Sequence, residues 1–177
     1  MTNDIKIASH NLLLRSIKPS DASAIFKYRS MPIINQYQGW IPEKLEEVDD
    51  FIQNKIAKEI NQIGTWYQMA IILNESETLI GDLGLHFVEN HVVEIGCTIA
   101  NEYQGKGYAT EALNHAIHYL FTDLNKRKIT GSVDPRNKAS IAMLQKLGFK
   151  LEAHHKKAFF LRGEWVDDDI YVLYEKN

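Results

Sequence analysis

The chain has 177 residues, 45% of them apolar and 24% charged, with a formal net charge of −3 and a single cysteine. That is enough chain for one domain, 1–177, with a full core, and the acidic balance argues against a nucleic-acid binder, which would carry a basic patch. One cysteine excludes an internal disulfide framework and suits a reducing compartment.

Met1 leads into Thr2-Asn3-Asp4 rather than a basic and then apolar run, so no signal peptide is expected. No apolar stretch approaches the length of a membrane span. A cytoplasmic enzyme or binding domain with no membrane partner is the expectation.

Residues 11–17, with Leu12, Leu13 and Leu14, read as a first strand. Pro19-Ser20-Asp21 signals a helix start, with Ala22, Ile25 and Phe26 at helical spacing and Met31-Pro32 as its end. Ile41-Pro42-Glu43 opens a second helix whose buried stripe is Val48, Phe51, Ile52, Ile56 and Ile60, ending near Gly64. Residues 66–73 and 78–87 form strands joined by the turn Asn74-Glu75-Ser76-Glu77. Glu89-Asn90-His91 leads into another strand. Residues 128–133 are the next, then 150–155 with 158–161, and finally 165–175. The order β-α-α-β-β-β-α-β-α-β-β predicts an α+β fold in αβα layers. Its sheet is mixed and mostly antiparallel, with six to seven strands and about four helices.

The most informative stretch begins at the apolar strand Glu94-Ile95-Gly96-Cys97-Thr98-Ile99 and runs through Ala100-Asn101-Glu102-Tyr103 into Gln104-Gly105-Lys106-Gly107-Tyr108-Ala109. Ala109, Ala112, Leu113, Ala116, Ile117 and Leu120 then recur at helical spacing. A glycine loop opening a helix is an anion site, because free backbone N–H groups and the helix dipole both point there. No Gly-Lys-Ser/Thr completes a Walker loop, and Thr110 leaves the dinucleotide pattern Gly-x-Gly-x-x-Gly incomplete. Further on, Val133-Asp134-Pro135-Arg136-Asn137 turns into a helix that runs through Ser140, Leu144 and Lys146 to a stop at Gly148-Phe149.

The pattern Gln104-x-x-Gly107-x-Ala109, followed by the Asn137 helix ending in Lys146-Leu147-Gly148-Phe149, resembles the GNAT acetyltransferases. The tail 162–173 resembles the RimJ/RimL-like branch. This resemblance implies that acetyl-CoA is the co-substrate and an amine the acceptor. It implies that main-chain amides of Gln104, Gly105, Lys106, Gly107, Tyr108 and Ala109 hold the pyrophosphate. It also implies that 95–99 splays from 128–133 at the sheet's centre, and that main chain near Cys97 and Ile99 polarises the acetyl oxygen. Asn137 is then a coenzyme contact as well as a helix N-cap, Ser140 and Lys146 are weaker contacts, with Lys146 alternatively favouring the helix C-terminus, and Tyr28, Tyr37, Trp40 and Trp66 belong to the region that walls the acceptor or equally to the core. Related enzymes are often dimers, so a homodimer is compatible.

An alkylamine has a pKa of about 10 and must lose a proton before it attacks. Strand alternation puts Glu94 on the face of Gly96 and Thr98, which makes it the first candidate for general base, with Asp134 second. Many family members carry a Tyr where this chain has Leu144. That leaves Tyr103, Tyr108 or water to protonate the thiolate, and it keeps open an alternative: a catalytically silent coenzyme A-binding sensor or assembly module. Cys97 reads as core packing rather than a nucleophile. Glu111, His115 and His118 share a helix stripe, read as solvated surface rather than a metal site. Asp167-Asp168-Asp169 reads as a solvated turn or an attraction for a cationic amine.

Overall fold

A computed structural model describes residues 5–176; the start Met1-Thr2-Asn3-Asp4, on which the signal-peptide expectation rests, lies outside them. The chain forms β1 (Lys6–Ala8), β2 (Leu12–Ser16), a 3-10 turn (Pro19–Asp21), α1 (Ala22–Arg29) and α2 (Leu45–Asp50). Next come β3 (Trp66–Leu73), β4 (Thr78–Glu89), β5 (Val92–Ile99) and α3 (Tyr108–Thr122). β6 (Lys128–Val133), α4 (Lys138–Lys146), β7 (Lys150–Leu161) and β8 (Glu164–Tyr174) complete it. The eight strands lie in the order β1-β2-β3-β4-β5-β6-β8-β7. The expected mixed sheet is present with one strand more than read, because β1 pairs antiparallel with β2.

Register sorts the sheet's two faces. Tyr67 pairs with Leu85 and Met69 with Leu83; Leu85 pairs with Ile95 and Phe87 with Val93. These residues form one core with Ala112, Leu113, Ala116, Ile117 and Leu120 of α3. The helix therefore buries the stripe its spacing announces, and burying each Leu or Ile contributes about 1.5–3 kcal/mol. The opposite face carries Gln68, Gly84 and Gly96 in one row and Ala70, Asp82 and Thr98 in the next. α1 and α2 build a second, smaller core from Ala22, Ile25, Tyr28, Val48 and Ile52.

The second helix is shorter than its apolar pattern predicts. α2 widens into a π turn over Phe51–Lys55 and stops at Ile56, whose backbone is extended. Lys58 Nζ donates to the Ile52 carbonyl at 2.8 Å, and the Ala57 amide donates to Trp66 O at 2.7 Å. The chain thus gives its backbone donors to the sheet edge instead of another helical turn. Ile60 still packs against the main core, from a non-helical segment.

β5 and β6 are the parallel pair. They match over only three rungs, Val92↔Lys128, Val93↔Ile129 and Glu94↔Thr130. Beyond Glu94 they part, and that opening places the site.

Candidate active site

The glycine loop begins where β5 ends. Gln104 Nε2 donates to the Ile99 carbonyl at 2.9 Å, so its side chain ties the loop to the strand. Gly105 (φ 73) and Gly107 (φ 84) are left-handed, a backbone state costly for any residue with a Cβ. A Cβ built on either would meet nothing within 4 Å, so the loop is not plugged by side chains. Gly107 is the N-cap of α3 without a side-chain cap, and the Glu111 amide is the first to bond back, to Gly107 O at 3.0 Å. The Gln104 amide, expected among the cradle donors, is instead spent on Asn101 O at 3.2 Å, closing the 3-10 turn before the loop, whereas among the described residues no hydrogen bond is donated by the amides at 105–110. Six successive free N–H groups at the positive end of a 15-residue helix form an anion cradle. Lys106 is exposed, its ammonium 5.5 Å from the Tyr103 ring centre, and Tyr108 and Ala109 pack inward on the core.

A cavity of about 620 Å³ fills the splay. Ile95, Gly96, Cys97 and Thr98 form one wall, and Gly131, Ser132, Val133 and Asp134 the other. α4 and its cap contribute Asn137, Ser140, Met143 and Leu144; Tyr37, Trp40, Trp66, Phe159 and Phe160 give the cavity an aromatic lining. Asn137 lines the cavity and also caps α4, accepting from the Ser140 amide at 3.2 Å. Trp40 stacks on Phe51 (4.6 Å) and Trp66 on His86 (4.8 Å, 11°). Ile99 is buried in the main core beside the cavity, and Lys146 is exposed in the last turn of α4; neither lines it. Leu144 is buried and would touch a Cβ at Gly131, so an apolar contact replaces the family's phenol. Tyr103 and Tyr108 also stand outside the lining, whereas Ser132 and Ser140 are within it.

Tyr28, expected in the acceptor wall, is only 3% exposed and sits beneath it. Its hydroxyl donates to Asp82, an acid buried in the row Ala70, Asp82 and Thr98. Burial and the Asp82 charge push the phenol well above its ordinary pKa. Arg29 holds both Asp82 oxygens, at 2.6 and 3.1 Å, and donates to Gln38 Oε1 at 2.8 Å. Gln38 Nε2 reaches Thr98 Oγ1 at 3.0 Å, and Gln68 donates to Asp82. Sequence reading missed this network. Its signal was a lone Asp in the apolar strand Leu79-Ile80-Gly81-Asp82-Leu83, which requires a buried partner.

Glu94 stands on the last paired rung of β5 and β6, in the row Trp66, His86, Glu94 across three strands. Its Oε2 lies 3.4 Å from His86 Nδ1, and its side chain is 32% exposed. It does not line the cavity itself; the next residues, Ile95 and Gly96, do. Asp134 is a poor base, because the Arg136 guanidinium, 2.7 Å away, holds its carboxyl below the usual range. Burial, with Asp82 nearby, pushes the Cys97 thiol up to about 12, which removes it as a thiolate nucleophile.

The three consecutive acids lie within β8, not in a turn. His154 takes Asp169 at 2.6 Å through Nδ1 and Asp167 at 3.2 Å through Nε2. Asp168 is 4% exposed and accepts from Ser132 Oγ at 2.7 Å. On α3, Glu111 is not a solvated side chain: it accepts from Ser9 Oγ and from both nitrogens of Asn11, pinning the β1–β2 turn.

Residues 11–150 match the family model described as an acetyltransferase (GNAT) domain. The chain is 29% identical over 168 residues to a spermidine N(1)-acetyltransferase of Vibrio cholerae, covering 93% of this chain and 94% of that one. It is 35% identical over 121 residues to an Escherichia coli [ribosomal protein uS5]-alanine N-acetyltransferase, covering 67% and 62%. Among solved structures, a GNAT-family acetyltransferase from Bacillus anthracis superposes with a TM-score of 0.86 at 26% identity, over 96% of this chain and 98% of that one. A free-amide helix start, a splayed parallel pair and a family match over most of the chain converge: this chain belongs to the GNAT family and is an acetyl-CoA-dependent N-acetyltransferase.

Proposed function

We propose that the protein acetylates a primary amine, either a protein or peptide N-terminus or a small polyamine-like molecule, in a single direct transfer in the cytoplasm. Acetyl-CoA supplies the acetyl group as a thioester, which the amine attacks without an acyl-enzyme; the C–N bond forms as the C–S bond breaks, and the departing coenzyme A thiolate takes its proton from water. The amides at 105–110 hold the pyrophosphate, and Asn137 and Ser140 hold the arm in the splay. Main chain of β5 near Cys97 polarises the acetyl oxygen; Ile99, outside the lining, does not share that role. Glu94 draws the ammonium proton out through water, with His86 as its neighbour, and Trp40 and Trp66 wall the acceptor.

The observation that carries this reading is the row of unengaged amides at the mouth of the β5–β6 gap. The acceptor classes follow the two named relatives, whose names give spermidine and an alanine of ribosomal protein uS5.

The test is thiol release from acetyl-CoA with a panel of diamines, polyamines and short peptides. At least one amine is expected to drive turnover. Coenzyme binding without thiol release from any of them would instead indicate a silent coenzyme A-binding module.

A further inference from the structure

We propose that Asp168 is the counter-ion that receives a positively charged group of the acceptor, held in position by Ser132. The inference rests on the acceptor reading above and adds the residue that selects for charge.

Three carboxylates line the cavity: Asp134, Asp167 and Asp168. Two already have cationic partners. Arg136 grips Asp134 at 2.7 Å, and His154 Nε2 lies 3.2 Å from Asp167, which also accepts from the Lys157 amide at 2.8 Å. Arg29, the guanidinium in the lining, is spent on Asp82. Asp168 has the Ser132 hydroxyl and the Val133 main chain as hydrogen-bond partners, and among the described residues no ion pair engages it.

Its surroundings make that state costly. Asp168 is 4% exposed, with Val166 on its own strand and Phe159, Phe160 and Leu161 of β7 around the same cavity. An ionised carboxylate there has lost much of its water and has no ion pair to compensate, only hydrogen bonds and the more distant His155, and such a group favours binding a proton or a cation. Burial pushes its carboxyl above the ordinary range, and Asp169 beside it adds to this. Ser132 and His155, the cross-strand neighbour on β7, pull the other way. An arriving ammonium supplies the missing charge. Trp40, across the cavity, offers an aromatic face that already accepts one cation, the Arg29 guanidinium at 5.5 Å.

The experiment is calorimetric titration of n-butylammonium chloride into wild type and Asp168→Asn, each saturated with coenzyme A. Aniline, uncharged near neutral pH, is the parallel probe. Asp168→Asn is expected to weaken butylammonium binding about tenfold while shifting aniline about twofold or less, the loss expected of a charge-assisted contact. Equal butylammonium affinity in both proteins overturns the proposal. So does no binding to wild type, or an equal loss for aniline. Ser132→Ala provides a second reading that does not depend on how the Asn variant folds. Without the hydroxyl donor the carboxylate ionises less readily, so the pH midpoint of butylammonium binding moves upward; an unmoved midpoint overturns the proposal. The coenzyme A titration that precedes these runs judges the acetyl-CoA reading separately.

Discussion

At the scale of single residues, environment assigns work among chemically identical groups. Glu94 sits one-third exposed at the mouth of the splay, whereas Asp134 is locked to Arg136 and Asp82 to Arg29. Glu94→Gln is therefore expected to lower kcat by about 10²-fold or more and to remove the acidic limb of its pH profile, leaving acetyl-CoA affinity intact. An unaltered rate would take Glu94 out of the chemistry. Asp82→Ala strands a buried guanidinium and is expected to cost about 3–5 kcal/mol in urea unfolding, with Tyr28→Phe costing about 1–2 kcal/mol. Losses under about 1 kcal/mol for Asp82→Ala would show the network to be loosely held. The sequence exposed these roles unevenly. Glu94's face followed from strand alternation, but the partners of Asp82 come from α1 and β3, far apart in the chain, and spacing carries no record of such pairs.

At the scale of elements, legibility followed how local the cause is. α3 was readable because five buried positions repeat on one face after a glycine stop. α4 was readable because Asn137 caps it and the left-handed Gly148 ends it. The end of α2 was not, since the Ala57 amide chooses Trp66 O over a helical acceptor, and only the folded sheet presents that carbonyl. β1 was missed because three residues with a mixed exposure pattern leave little periodic signal. Asn137 serves helix and cleft at once, and substitution can separate the two. Asn137→Ala is expected to lose about 1 kcal/mol of stability with the cap, together with acetyl-CoA affinity. Asn137→Asp keeps an equally good cap but offers an anion and no amide donor to the cleft. It is expected to retain the melting temperature and still lose affinity; wild-type affinity in Asn137→Asp would reduce Asn137 to a cap alone.

For the whole molecule, the same charges set the pH range of stability. Hydrogen bonds from Asn11 and Ser9 outweigh burial at Glu111, and Arg136 holds Asp134, so both carboxyls lie below their ordinary values of 4.5 and 3.8. Their contribution is fully present above those values and is lost as pH falls through the depressed folded values. Asp168 and His154 are raised and act in the opposite direction. The Asp168 contribution fades as pH climbs past 3.8 toward its raised value, and that of His154 as pH climbs past 6.5. Urea midpoints followed against pH should fall on acidification, and Asp134→Asn should flatten that limb; an identical limb in the variant would contradict the assignment. The central claim concerns the loop that links strand, helix and cleft. It is tested most directly by titrating acetyl-CoA into wild type and Gly107→Glu, with circular dichroism confirming the fold. A carboxylate set against the free amides should abolish measurable binding in a folded protein, while affinity equal to wild type would contradict the account.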